Sequence, residues 1–165
     1  MTQVWPLQKD CPAFYGDPGN HPEQWQAWEA ANLTTVPCPW VLHMDKKVIT
    51  KITIHKKCAA SLTTVLNNVW DAVGKSQAEI ERLKFDQFSG SYNQRPMRGG
   101  SARSMHGYGA AIDFDYDDNQ FHATKHLFTD STILIVKFKE EGWAWGGDWS
   151  PGSVDAMHVQ AARVH

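Results

Sequence analysis

Ser104-Met105-His106-Gly107-Tyr108-Gly109-Ala110-Ala111-Ile112-Asp113-Phe114-Asp115-Tyr116 is the stretch on which the reading of this chain turns. From Ala111 to Tyr116 it alternates, with Ile112, Phe114 and Tyr116 apolar on one side and Ala111, Asp113 and Asp115 on the other, the period-two pattern of a half-buried strand. Asp113 then projects from a rigid element. His106 lies an odd number of residues earlier, which would put the two side chains on opposite faces of one continuous strand, so the chain must turn between them. Gly107 and Gly109 permit that turn. His106 is expected on the loop entering the strand and Asp113 within it, both facing one cleft.

The C-terminal part supplies the partners. Gly142-Trp143-Ala144-Trp145-Gly146-Gly147-Asp148-Trp149 reads as a helix stop, a short aromatic strand and a turn, and Met157-His158-Val159-Gln160 as another short strand. His158 completes a set of two imidazoles and one carboxylate with no cysteine near either segment. Such a set leaves a tetrahedral ion one open position, the arrangement of a catalytic rather than a structural zinc site. Asp155, just before His158, is placed to take a proton from the attacking water and return it to a leaving amine. It also reads as a turn residue following Pro151-Gly152-Ser153.

These residues resemble the zinc D-Ala-D-Ala carboxypeptidase and L-alanyl-D-glutamate endopeptidase family, which includes phage endolysins. The family pattern Ser-x-His-x-x-Gly-x-Ala-x-Asp is met at Ser104, His106, Gly109, Ala111 and Asp113, and its acidic residue before a final His at Asp155 and His158. Asp155 is Asp as in the endolysin branch, where the carboxypeptidase and dipeptidase branches typically carry Glu. Gly90 to Gly100 is similar to the family's strand and arginine segment. The resemblance implies zinc held by His106, Asp113 and His158, Asp155 as general base and acid, and Arg95 stabilising the anionic tetrahedral intermediate, with Arg98 as the competing arginine. Tyr92, Arg98, Ser104 and Trp149 are the substrate-binding candidates. For Ser104 a hydroxyl fixing the loop of His106 is the plainer role, and Trp143, Trp145 and Trp149 read most simply as core and cleft wall. The implied substrate is the peptidoglycan stem peptide, cut at the L-alanyl-D-glutamate bond. A D-Ala-D-Ala carboxypeptidase or dipeptidase of the same fold, and a non-catalytic zinc-stabilised virion or binding domain, are the alternatives.

Two other metal-like patterns carry less. Asp113-Phe114-Asp115-Tyr116-Asp117-Asp118-Asn119 imitates the start of a calcium loop but has Asp118 where glycine is required and Thr124 where a bidentate Glu belongs. Asp115 is better read as a polar group behind the donors or facing solvent. His122 and His126 share helical spacing, yet Ala123 stands where the zinc-protease pattern needs Glu, and a polar helix surface is the plainer reading.

Composition bounds the rest. The 165 residues, 42% hydrophobic and 21% charged, suit one domain with a core, residues 1–45 forming an N-terminal arm and residues 46–165 the peptidase core. A formal net charge of -2 argues against nucleic acid, and the lysines between Lys46 and Lys57 read as a solvated strand edge. Cys11, Cys38 and Cys58 are odd in number and far apart, so reduced thiols are expected. No signal peptide and no membrane-spanning run is visible, which suits a monomer made in a host bacterial cytoplasm before release to the wall. In the arm, turns are expected at Asp17-Pro18-Gly19-Asn20 and Val36-Pro37-Cys38-Pro39, and a helix near Pro22 to Asn32. A strand follows over Lys47 to His55, with Val48, Thr50, Ile52 and Ile54 on one face. Helices are expected over Ala59 to Val73 and Gln77 to Leu83, and strand-like sequence through Tyr92. Ser131 to Glu141 is ambiguous by propensity, and the family resemblance favours helix. The order predicts an α+β domain with a small, mainly antiparallel sheet and flanking helices. The resemblance names it as the fold shared by these peptidases and the hedgehog signalling domain.

Overall fold

A computed structural model describes residues 3–95 and 102–165 of the chain. In chain order these residues form α1 (Cys11–Tyr15), α2 (Pro22–Asn32), β1 (Leu33–Met44), β2 (Lys47–His55), α3 (Ala59–Ala72), α4 (Gln77–Arg82), β3 (Phe88–Gly90), β4 (Ala111–Phe114), α5 (Ile133–Glu140), β5 (Ala144–Trp145) and β6 (His158–Gln160). The strands make two antiparallel sheets, the hairpin β1-β2 and a four-stranded sheet in the order β3-β4-β6-β5, with helices flanking both. This is the α+β architecture that the element order implied.

The core explains why α3 and α5 are helices. Leu62, Val65, Leu66 and Val69 recur at helical spacing and are buried along one stripe of α3, which packs on β1 and α5. Leu134, Ile135 and Phe138 of α5 answer them. Ile133-Leu134-Ile135-Val136 has strand propensity, but burying Leu134, Ile135 and Phe138 on one face of a helix contributes about 1.5–3 kcal/mol each, more than the few tenths by which β-branching disfavours helix. Gly74 and Gly142, at φ 69° and 82°, end the two helices.

The N-terminal region differs from its reading. Val36-Pro37-Cys38-Pro39 is not a turn but part of β1, which pairs with β2 from Leu33↔His55 onward and shifts register between Pro37 and Leu42. A two-stranded sheet has a free edge on each strand, and an irregular stretch there tolerates prolines that donate no hydrogen bond. The hairpin closes through Asp45 and Lys46 at φ 49° and 67°, both left-handed, as a two-residue hairpin turn requires. On the expected face of β2 only the inner residues are buried: Ile52 and Ile54 lie in the core, whereas Val48 and Thr50 are exposed. Residues 5–8 are laced to the C-terminal tail, Trp5 being buried with its carbonyl accepting from Arg163 Nε at 2.8 Å, and Gln8 N donating to Arg163 O at 2.9 Å.

His122 and His126 are not on a helix. His122 sits at φ 67° in a turn, its ring 3.7 Å from that of Phe121, and His126 Nδ1 donates to the Phe128 carbonyl at 2.6 Å. No helix among the described residues is long and apolar enough to cross a membrane.

Candidate metal centre

Three elements carry the donors. Ser104 caps a 3-10 turn, Met105–Tyr108, its hydroxyl accepting from His106 N at 3.2 Å, and Gly109 at φ 64° swings the chain from that turn towards β4. A Cβ on Gly109 would lie 2.6 Å from Leu33 Cδ2 and 3.0 Å from His55 N, so glycine is needed there for space as well as for φ. Gly107 has no positive φ, and its hydrogen leaves room for the Arg103 side chain instead. Asp113 on β4 and His158 on β6 are direct cross-strand partners. The antiparallel register thus does for Asp113 and His158 what the turn does for His106.

Ligand atoms of His106, Asp113 and His158 lie within 4.8 Å of one another, and all three residues are buried. His106 Nε2 is 3.2 Å from Asp113 Oδ2, and His158 Nδ1 is 3.0 Å from Asp113 Oδ1. The far side of each imidazole is committed. His106 Nδ1 donates to the Ser91 carbonyl at 2.6 Å, which leaves Nε2 with its lone pair. His158 Nε2 donates to Gln160 Oε1 at 2.8 Å, which leaves Nδ1 with its lone pair. His106 Nε2 is buried and makes no hydrogen bond among the described residues. Three acceptors converging on one another in a buried space require a positive charge among them, from protons or from a cation. Burial pushes the Asp113 carboxyl up, but His106 first and His158 second hold it well below the usual carboxylate range. Burial pushes His158 down, yet the Asp113 carboxylate favours the doubly protonated ring, in which Nδ1 donates to Asp113 Oδ1, and the His158 pKa is raised; the Nδ1 lone pair belongs to the neutral ring. The donor chemistry, two oriented imidazoles and an ionised carboxylate, fits a zinc ion with a vacant position.

Two clefts, of about 380 Å³ and about 1010 Å³, meet at this cluster. The smaller is lined by His43, Ser91, Tyr92, Arg95, His106 and Asp113, and the larger by Arg95, Ser104, His106, Trp149, Asp155 and His158. Arg95 and His106 face both. Trp149 lies 5.3 Å from the His158 ring between centroids, and Tyr92 stacks on Trp28 with its hydroxyl accepting from Gln94 Nε2 at 3.0 Å. Asp155 is near enough for its charge to raise the His158 pKa, and its backbone is clamped to Gly146, whose carbonyl accepts from Asp155 N at 2.9 Å. A Cβ on Gly146 would run into the Asp155 carbonyl oxygen. Arg98 lies outside the described residues.

Residues 98–161 match a family model described as D-alanyl-D-alanine carboxypeptidase. The likeness covers less than half of the chain. No curated protein and no solved structure matches the chain. The matched residues contain the three donors and Asp155, and leave Tyr92 and Arg95 upstream.

Several residues that shape the donor cluster carry little or no signal in the sequence. Ser91 acts through a backbone carbonyl, which no side-chain pattern reveals. Gln160 was findable, because two residues along a strand from His158 is the same face. Asp115 is not solvent-facing: it is buried at φ 52°, accepts from Asn119 Nδ2 at 3.1 Å, and is pushed up to about 7 by burial and then by neighbouring Asp118.

Proposed function

We propose that the chain is a zinc-dependent peptidoglycan peptidase of the endolysin type, cleaving the L-alanyl-D-glutamate bond of the stem peptide. The observation that carries this reading is the convergence of His106, Asp113 and His158 where two clefts meet. A peptide cut internally must extend on both sides of the scissile bond, and a donor cluster with a cleft on each side suits that better than a dead-end pocket. Asp at position 155 supports the endolysin branch, by the resemblance drawn from the sequence. The family description favours a second reading, a carboxypeptidase releasing terminal D-alanine.

A divalent ion held by the three donors supplies Lewis-acid polarisation of the scissile carbonyl and acidifies water. The remaining work falls to the chain. Asp155 accepts the proton of the attacking water on its carboxylate and delivers it to the leaving amine nitrogen. Arg95, facing both clefts, donates to the carbonyl oxygen as it gains negative charge, where a fixed guanidinium in a site poor in water stabilises it most. Ser91 and Gln160 keep the imidazoles turned, so their lone pairs stay aimed at one point. Tyr92 and Trp149 wall the substrate path. Such an enzyme is made in the host cytoplasm as a monomer and meets its substrate once it reaches the wall.

Mass spectrometry of fragments released from defined peptidoglycan decides between the readings. New N-terminal glutamate on the stem peptide supports the endopeptidase, free D-alanine supports the carboxypeptidase, and neither product from zinc-loaded protein overturns both.

A further inference from the structure

The far nitrogen of His158 leads away from the site along a chain of side-chain amides. His158 Nε2 meets Gln160 Oε1 at 2.8 Å, and Gln160 Nε2 donates to Gln8 Oε1 at 2.7 Å and to the Ala162 carbonyl at 3.2 Å. The Ala162 carbonyl can only accept, which favours the nitrogen end of the Gln160 amide facing it and the oxygen end facing His158, and the shorter bond to Gln8 Oε1 holds the amide that way. That oxygen can only accept in turn, so His158 carries its proton on Nε2 and presents Nδ1 to Asp113 and to any ion. Gln160 is buried, and its amide hydrogens have these two acceptors. Gln8 belongs to the short turn Gln8–Asp10, far outside the family-matched stretch, and is anchored by its backbone N on Arg163 O at 2.9 Å.

We propose that Gln8 and Gln160 are positioning residues that lock His158 in its Nδ1-liganding tautomer, so that the N-terminal segment is a working part of the metal centre. The inference rests on the metal-centre reading given above and extends it to a residue that touches no donor. If the outermost link breaks, the Gln160 amide loses one of the two acceptors that fix its orientation. A turned amide would offer His158 an N–H where it needs an acceptor, and Nδ1 would no longer be the favoured free nitrogen.

The test uses the full chain with Gln8→Met, Gln8→Glu and Gln160→Met, read by zinc affinity in chelator competition. Gln160→Met is expected to bind zinc roughly 10–100-fold more weakly, as for loss of a group that orients a ligand. Gln8→Met, which keeps the volume and removes the acceptor, is expected to lose about 2–10-fold, the effect of one hydrogen bond. Gln8→Glu keeps the acceptor and is expected to retain wild-type affinity. A packing role would give the reverse order, with Met tolerated and Glu not, and would overturn the proposal. A second readout needs no metal: nitrogen NMR of the metal-free protein should show His158 protonated on Nε2 in the wild type above its titration and a mixed tautomer in Gln8→Met. An unchanged tautomer would also overturn it. Wild-type protein that binds no zinc would sink the metal centre itself, a failure distinct from equal binding by wild type and Gln8→Met, which sinks the relay alone.

Discussion

Gly146→Ala tests whether Asp155 works through its position. A Cβ at Gly146 would stand 3.0 Å from both the carbonyl carbon and the Cβ of Asp155, and closer still to the carbonyl oxygen. Carbon atoms rest at about 3.5–4.0 Å, so the Asp155 segment must recede by roughly 0.5–1 Å. A displacement of that size at a catalytic group costs up to about 100-fold in rate. The donors lie elsewhere, on the turn Met105–Tyr108, on β4 and on β6, whose pairing with β4 and β5 does not involve Gly146. Overpacking of this kind costs about 1–3 kcal/mol of stability. The expected result is therefore about 10–100-fold lower kcat/KM on purified peptidoglycan, read as turbidity loss and new amine termini, with stoichiometric zinc and a folded protein. Gly152→Ala, three residues before Asp155, is the control, since a Cβ there meets nothing within 4 Å, and it should be silent. Full activity in Gly146→Ala would refute the positioning of Asp155 as the account has it. Loss of zinc together with activity would show that Gly146 supports the donors instead.

His55 is a buried acid trigger. Its Nε2 donates to the Tyr15 carbonyl at 2.9 Å and its Nδ1 accepts from Lys57 N at 3.0 Å, and burial, aided by Lys57 and Lys56, holds its pKa below 6.5 against the raising effect of the Tyr15 bond. The folded value lies below the unfolded one, so the stabilisation is complete above pH 6.5 and is lost as pH falls through the folded pKa, with a slope of at most about 1.4 kcal/mol per pH unit. His55→Asn should flatten this slope in urea titrations between pH 7.5 and 5, and an unchanged slope would exclude His55 as its source. The thiols of Cys11, Cys38 and Cys58 are all pushed up to about 12, chiefly by burial. None should react with a disulfide reagent at pH 8 in the native protein, and all three should do so in denaturant; rapid native labelling would contradict the packing around them.

Much of this fold could be read from the sequence where one face of an element is buried and its period is unbroken. The stripe of Leu62, Val65, Leu66 and Val69 is of that kind, whereas Pro22–Asn32, which buries only Trp28, and Lys47–His55, whose outer half is exposed, were legible from local propensity. β1 was hidden since Pro37 and Pro39 break the local signal, while tertiary pairing with β2 at a free edge makes the breakers harmless. His122 and His126 show the opposite error: helical spacing without an apolar stripe is no helix. In the site, the turn at Gly109 and a strand carrying Asp113 followed from residue type, but the half-buried alternation expected from Ala111 to Tyr116 did not hold: β4 ends at Phe114 and is buried on both faces, and Tyr116 is exposed in the turn beyond it. The pairing of Asp113 opposite His158 was not legible, because register between distant strands is set by the whole sheet. Backbone groups were silent for the same reason, the Ser91 carbonyl being defined by where the chain passes and not by its side chain.

X-ray absorption at the zinc edge of the reconstituted protein reads out whether His106, Asp113 and His158 hold the ion. One zinc per chain is expected, with two imidazole nitrogens at about 2.0–2.1 Å, carboxylate oxygen at about 2.0–2.2 Å and no sulfur. A zinc–sulfur shell at about 2.3 Å would move the ion to the cysteines and contradict that assignment.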